Sequence, residues 1–239
     1  MTRGALDIHE IWVYLSGSPL LALILTLAAY QIGLVVYART NSHPLANPVG
    51  IAVILVAAAI TVLDMPYAKY FEGAQFVHFL LGTATVSLAV PIFRGLPKMR
   101  ARLLPLLAAL IAGGGASILT AAGLARLLGA DDAIIRAMYV KSLTAPIAMG
   151  VAERIGASPT LTAVFAITTG ILGAVLGRTI LNAVRSVEWW QRGFALGVAA
   201  HGIGTARAFS VNVEAGTFAS VAMGLHGVVG ALVIPLVAR

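Results

Sequence analysis

Cysteine is absent from the 239 residues, which excludes disulfides, thiol nucleophiles and thiolate metal sites. Acids are scarce, nine Asp and Glu against 16 Lys and Arg, and they almost vanish inside the apolar runs. That argues against a carboxylate-driven pump or a cation channel lined by acidic rings. Charged residues make up only 10% of the chain, where soluble domains carry about 25%. Soluble-enzyme signatures are also missing. Gly202-x-Gly204 lacks the third glycine, the preceding strand and the downstream acid of a dinucleotide fold, and there is no phosphate loop. The five histidines do not pair at metal-ligand spacing. No nucleophile–base pair is visible, so no enzyme activity, metal or cofactor is expected. No basic, aromatic-interleaved patch points to nucleic acid, despite the net charge of +7. The N-terminus lacks the pattern of a signal peptide, and Arg3, Asp7 and Glu10 instead precede a full-length apolar span.

What is present is apolar length. Hydrophobic residues form 59% of the chain and its mean hydropathy is +0.94. About 20 apolar residues cross the hydrocarbon core as helix. The chain therefore reads as an all-α, multi-pass membrane protein with about seven or eight membrane segments.

Residues 1–16 predict a short interfacial helix with Trp12 and Tyr14 at headgroup level. Ser18-Pro19, Asn47-Pro48 and Ser158-Pro159 each set an N-capping side chain before a proline in the first helical turn. They open spans at about 19–38, 48–63 and 159–181. A third apolar segment, 73–93, carries His78, Gly82, Thr83 and Pro91 and is expected to be discontinuous at Pro91. A basic loop, Arg94 to Arg102, follows without any acid. The next spans are 103–127, a segment at 132–157 that Asp131 and Asp132 can cap, a segment at 193–207, and a last span at 218–237. Gly170, Gly173 and Gly177 share one helix face, as do Gly224, Gly227 and Ala231, and such faces permit close helix contact. Simple alternation puts the basic 94–102 and 178–192 stretches on opposite sides, against the positive-inside rule. Either 132–157 enters and leaves on one side, which is favoured, or one stretch is an exception.

The stretch Arg136 to Gly150 organises the rest. It holds Lys141, Ser142 and Thr144 beside Ala145-Pro146, where proline should interrupt a helix. An ionisable residue at that depth is a functional hypothesis by default, although a long basic side chain can also snorkel to the headgroups. A second polar break is expected at His201-Gly202-Ile203-Gly204-Thr205-Ala206-Arg207. If the helix continues, Arg207 points away from Thr205; if it breaks at Gly204, Thr205 caps the second half and Arg207 can turn inward. Gly82-Thr83-Ala84 after His78 echoes Gly204-Thr205-Ala206 after His201, predicting repeats over 19–128 and 132–237. Interior cations and hydroxyls without acids suit a small organic anion, and half-helix N-termini add partial positive charge.

Three motifs carry a resemblance. Lys141-Ser142-Leu143-Thr144-Ala145-Pro146-Ile147-Ala148, His201-Gly202-Ile203-Gly204-Thr205-Ala206-Arg207-Ala208 and, third, Leu80 to Pro91 resemble the signatures of the LrgB/CidB family of bacterial membrane proteins. The likeness extends from about Pro44 onward. Thr83 stands where the family usually has proline, and His226 where it usually has asparagine. The resemblance implies a single domain over 1–239 in the bacterial inner membrane and two competing functions. One is an antiholin-like modulator of murein hydrolase activity and lysis, acting with a small LrgA/CidA-like membrane partner. The other is a carrier of small 2-hydroxy or 2-oxo monocarboxylates (glycolate, glycerate, pyruvate), as in the related plastid translocator. For the carrier, Lys141 supplies charge, Ser142, Thr144 and Thr205 supply hydrogen bonds, and His201 is the proton-linked group. Thr83, Gly204 and Arg207 complete the expected site, with Pro146, Pro91 and Gly202 as breaks. Glycine-faced spans would let one bundle rock within the bilayer, and a homodimer would give it a fixed scaffold.

Overall fold

The computed structural model describes residues 19–87 and 89–238. The expected interfacial helix at 1–16 and Ser18 lie outside the described residues, as do the side chains of His78, Gly82 and Pro91. Among the described residues there are ten α-helices and no strand. Two compact units divide them, meeting at Ser87 and Leu88.

The first unit holds α1 (Pro19–Arg39), a 3-10 turn (Pro44–Ala46), α2 (Pro48–Val62) and α3 (Tyr67–Ser87). Asn47 caps α2 by accepting from the N–H groups of Val49 and Gly50 at 2.9 and 3.0 Å. Helix α1 packs against both α2 and α3, and Thr26 Oγ1 bonds the Tyr70 hydroxyl at 2.8 Å.

The second unit contains α4 (Ala89–Arg100), α5 (Leu103–Leu127), α6 (Asp132–Val140), α7 (Ala145–Arg154), α8 (Pro159–Ala183), α9 (Trp189–Val211) and α10 (Val213–Val237). Among the described residues four helices, α1, α5, α8 and α10, are long and apolar enough to cross a membrane. Each of α5, α8 and α10 has 25 residues, about 37 Å of helix against about 30 Å of hydrocarbon. Between them lie two interrupted pairs, α6–α7 and the two arms of α9.

Several expectations change here. The basic stretch 94–102 is mostly helical and not a loop. In α4, Gly95 and Met99 lie one turn apart and are buried, while Arg94, Lys98 and Arg100 are exposed. That apolar face outweighs Pro97 inside the helix. Helix α10 begins at Val213, five residues earlier than expected, because Asn212 caps it by accepting from Glu214 N and Ala215 N. Asp131 stands at the α6 N-cap position without a side-chain capping bond.

The ends of the second unit sort by charge. Lys98 pairs with Glu214 at 3.4 Å and the Arg102 guanidinium sits 5.2 Å over Trp190. These contacts put both basic stretches at one end, with Glu188 and Glu214 as the acids there among the described residues of this unit. The other end balances Arg126, Arg136 and Arg154 with Asp131, Asp132 and Glu153. The conflict in simple alternation disappears because 132–157 does leave on the side it enters. Arg136 Nη1 donates to Ile155 O at 3.2 Å, joining the start of α6 to the end of α7.

Candidate functional site

Each helical pair is a hairpin with its tip inside the unit. In the first, α6 has nine residues and α7 ten, about 14 and 15 Å, each half the thickness of a hydrocarbon core. The break falls on Lys141–Thr144, earlier than expected at Ala145-Pro146. Thr144 is extended (φ −60°, ψ 141°) and Pro146 opens the second arm, where a missing N–H costs nothing.

The second hairpin was not anticipated as one. Its turn is His201, at φ 40°, ψ −130°. A straight helix would hold Leu196 and Ala208 about 18 Å apart, yet they share one small apolar cluster with Ala215 and Ala219. A Cβ on Gly204 would lie 2.7 Å from Leu196 O, so the arms lie against each other. The turn is therefore one residue before Gly202, and Gly204 serves close arm contact. Thr205 does not cap the second arm; its hydroxyl donates back to His201 O at 2.8 Å and faces Met223 Sδ at 3.9 Å.

At the first tip, Lys141 Nζ donates to Ser117 Oγ and Ser142 Oγ, both at 3.1 Å, and the two hydroxyls are 2.7 Å apart. Lys141 does not snorkel to a headgroup. Ser142 is buried and Lys141 and Ser117 half-buried. A half-buried lysine amine held by two neutral hydroxyls, with no carboxylate beside it among the described residues, is left without a counter-charge. Ser117 was missed in the sequence, although a hydroxyl two residues after Gly113-Gly114-Gly115 in an apolar span was the available signal. A lysine beside two serines is also the atom set of a nucleophile–base pair, contrary to expectation. In both contacts the lysine nitrogen stands as the donor to a hydroxyl oxygen.

The two tips approach α8 at the same place. His201 Nε2 bonds Ala166 O at 2.8 Å; a carbonyl only accepts, so this nitrogen carries the proton. Ala166 also packs in the apolar cluster containing Val140 and Leu143, which flank Lys141 and Ser142. The expected glycine face of α8 makes this possible. A Cβ on Gly170 would lie 2.8 Å from His201 Cε1, and those on Gly173 and Gly177 would meet Ala200 and Leu196. On α10, Gly227 meets Ile147 and Gly230 meets Leu143, whereas Gly224 faces open space. His226 is buried beside Gly114 and its Nε2 has no hydrogen-bond partner among the described residues.

A cavity of about 460 Å³ runs between α5 and the first arm of α9, from Pro105 and Trp190 to Ser117. It connects the basic end with the Lys141 cluster. Of the expected site residues in the second unit, Arg207 falls elsewhere. Thr83 is in the first unit, exposed, its hydroxyl donating to Leu80 O at 2.8 Å. Arg136 is exposed and bonded to Ile155 O. Arg207 lines a separate cavity at the basic end, because the turn at His201 carries it back toward the start of α9. Among the described residues no three of His, Asp and Glu gather as a metal set.

A family model described as the LrgB-like family matches residues 26–239. The "Holin-like protein CidB" of Staphylococcus epidermidis (strain RP62A) is 28% identical over 216 residues, 90% of this chain and 94% of the relative. The "Uncharacterized protein YwbG" of Bacillus subtilis (strain 168) is 31% identical over 204 residues, 85% and 90% of the two chains. The "Antiholin-like protein LrgB" of Bacillus cereus (strain B4264) is 27% identical over 219 residues, 92% and 95%. No solved structure matches the chain.

Proposed function

The chain belongs to the LrgB-like family of multi-pass bacterial membrane proteins, and from that premise we propose that it acts without catalysis as an antiholin-like regulator of murein hydrolase activity. In this reading it works through a small LrgA/CidA-like membrane partner. The observation that carries it is coverage: relatives named holin-like and antiholin-like align over nine-tenths or more of their length. Deleting the gene should change the rate of detergent-induced autolysis, and restoring it should reverse the change. Unaltered lysis, with no membrane partner recovered by crosslinking, would sink this reading.

A second reading is favoured by the hairpins. Two interrupted segments entering from opposite ends, with a cation and hydroxyls where they approach, is how many secondary carriers build a midplane anion site. Here Lys141, Ser117 and Ser142 would hold the carboxylate of a small 2-hydroxy or 2-oxo acid, with Thr144 at the adjoining half-helix N-terminus. The cavity reaching Ser117 would admit it from the basic end, and a homodimer would brace the moving unit. His201 would be the proton-linked group. Uptake of labelled pyruvate, glycolate and glycerate into proteoliposomes tests this; wild-type protein that moves none of them would refute it. The two readings also separate on one variant, since a regulator without transport should keep its lysis phenotype in Lys141→Ala.

A further inference from the structure

The cavity that reaches Ser117 is far larger than a three-carbon acid needs. It holds about 460 Å³, within the range of pockets that enclose drug-sized molecules. On α5 it is lined at every fourth residue, by Pro105, Ala109, Gly113 and Ser117. Such a stripe follows one helix face and here runs about 18 Å. Phe194 and Val198 on the first arm of α9 stand across from it. These two and Leu106 are buried, whereas Ala109, Gly113 and Ala199 are exposed. The cavity is therefore a trough with an apolar wall and an open side, on a helix able to cross a membrane.

The two ends of the trough differ. At the basic end stand Trp190 and Gln191. At the inner end Ser117 Oγ accepts from Lys141 Nζ at 3.1 Å. An anionic oxygen bonded to that hydroxyl would lie within about 6 Å of the amine. Among the described residues no charged side chain lines the trough itself. One polar corner beside a lysine, continued by a long apolar wall, has the polarity of a molecule with an acid head and a hydrocarbon tail.

We propose that the trough binds the apolar tail of an amphiphilic monocarboxylate whose carboxylate sits at Ser117 and Lys141. A short acid leaves the apolar wall unused, and an uncharged chain leaves the amine unused. The inference rests on Lys141 being an anion-binding group and deepens the carrier reading by naming a tailed acid as the better ligand. It concerns binding, so it does not require that the acid be moved.

The test is saturable binding of labelled straight-chain acids, butanoate to decanoate, and of decanol. The full-length protein is held in a sterol-based detergent, which has no alkyl chain to compete. Affinity should rise roughly threefold per added carbon as each CH₂ leaves water, and decanol should bind at least tenfold more weakly than decanoate. In Lys141→Ala that preference for the acid should vanish. Gly113→Leu should weaken decanoate at least tenfold and change butanoate less than about threefold. Its Cβ would meet only Val198 Cγ1, at 3.8 Å, so the new side chain has room to fill the trough. If that variant does not fold, Ala109→Leu fills the same stripe one turn earlier. Gly115→Leu, off the lining and with nothing near its Cβ, should bind as wild type does. Affinity independent of chain length, decanol equal to decanoate, or an unchanged series in a folded trough-filling variant would each overturn the site. Pyruvate uptake without any gain from a tail would overturn this inference and leave the carrier standing. The expected binding pattern without uptake of any acid would do the reverse.

Discussion

The two hairpins have the same length and opposite directions, yet they turn by different means. The first opens over Lys141–Thr144 and leaves a lysine and two hydroxyls bonded only to one another. The second turns on one residue, His201, and seals itself with protein bonds to Ala166 O and from Thr205. Their outer faces differ as well. The first arm of α9 lies against α10 with Gly193 and Gly197 directly on the backbone of Ala215 and Ala219, whereas Gly150 in the first hairpin has nothing near it. A tip with unspent polar capacity, on a hairpin whose second arm leaves one face open at Gly150, suits a ligand. A strained, fully bonded tip pressed on a neighbour suits a fixed wall or a latch.

The largest expected effect falls on the first tip. Under the carrier reading, Lys141→Ala should reduce carboxylate uptake at least about tenfold, because hydrogen bonds to charged groups contribute about 1.5–3 kcal/mol each. The folded yield in detergent should stay near wild type, since truncation leaves two hydroxyls that still bond each other. Uptake equal to wild type would erase the functional contrast between the tips.

The second test exchanges function for stability. Gly197→Leu should abolish folding or cost about 1–3 kcal/mol or more through overpacking, because its Cβ would meet Ala219 O and, at 2.7 Å, Ala222 Cβ. Gly150→Leu, with open space around it, should fold normally. Size-exclusion profiles and unfolding temperatures of the pair would show it; two equally stable variants would mean that both hairpins are loosely held.

Local chemistry explains which parts of this were legible beforehand. The three polar-proline starts are set within four residues, and Pro19, Pro48 and Pro159 do begin α1, α2 and α8. The α8 glycine face was legible for the same reason, since helical period alone puts Gly170, Gly173 and Gly177 on one side. The turn at His201 was not. Nothing in that stretch forces a reversal more than Gly202 or Gly204 does, and the position is chosen by the arm contacts on α10. Gly193-x-x-x-Gly197 was a signal for that contact and went unread beside the more conspicuous histidine. Ser117 was hidden because its partner lies 24 residues away. The basic helix α4 read as a loop because charge outweighed the small apolar stripe of Gly95 and Met99.

A smaller effect separates strain from bonding at the second tip. A non-glycine residue at positive φ costs about 1–2 kcal/mol, so His201→Gly should recover that strain while losing the bond to Ala166. His201→Ala loses the bond and keeps the strain. The glycine variant should therefore unfold at the higher temperature of the two, by roughly 1 kcal/mol. The reverse order would mean that the turn relaxes when the imidazole is removed.

The smallest effect is expected at Thr205, where the motif invites a ligand and the geometry spends the hydroxyl inside the hairpin. Thr205 is 2% exposed; its hydrogen goes to His201 O, and its neighbour is Met223 sulfur. Thr205→Val keeps the shape and removes a neutral bond contributing about 0.5–1.5 kcal/mol, which should appear as a small drop in unfolding temperature. Uptake by the folded fraction should change less than about threefold, against roughly tenfold for Ser142→Ala, whose hydroxyl faces the ammonium. Should Thr205→Val raise the half-saturation concentration as much as Ser142→Ala does, the second tip must open during transport and present that hydroxyl to the anion. The two hairpins would then be alternating halves of one site, not a site and its wall.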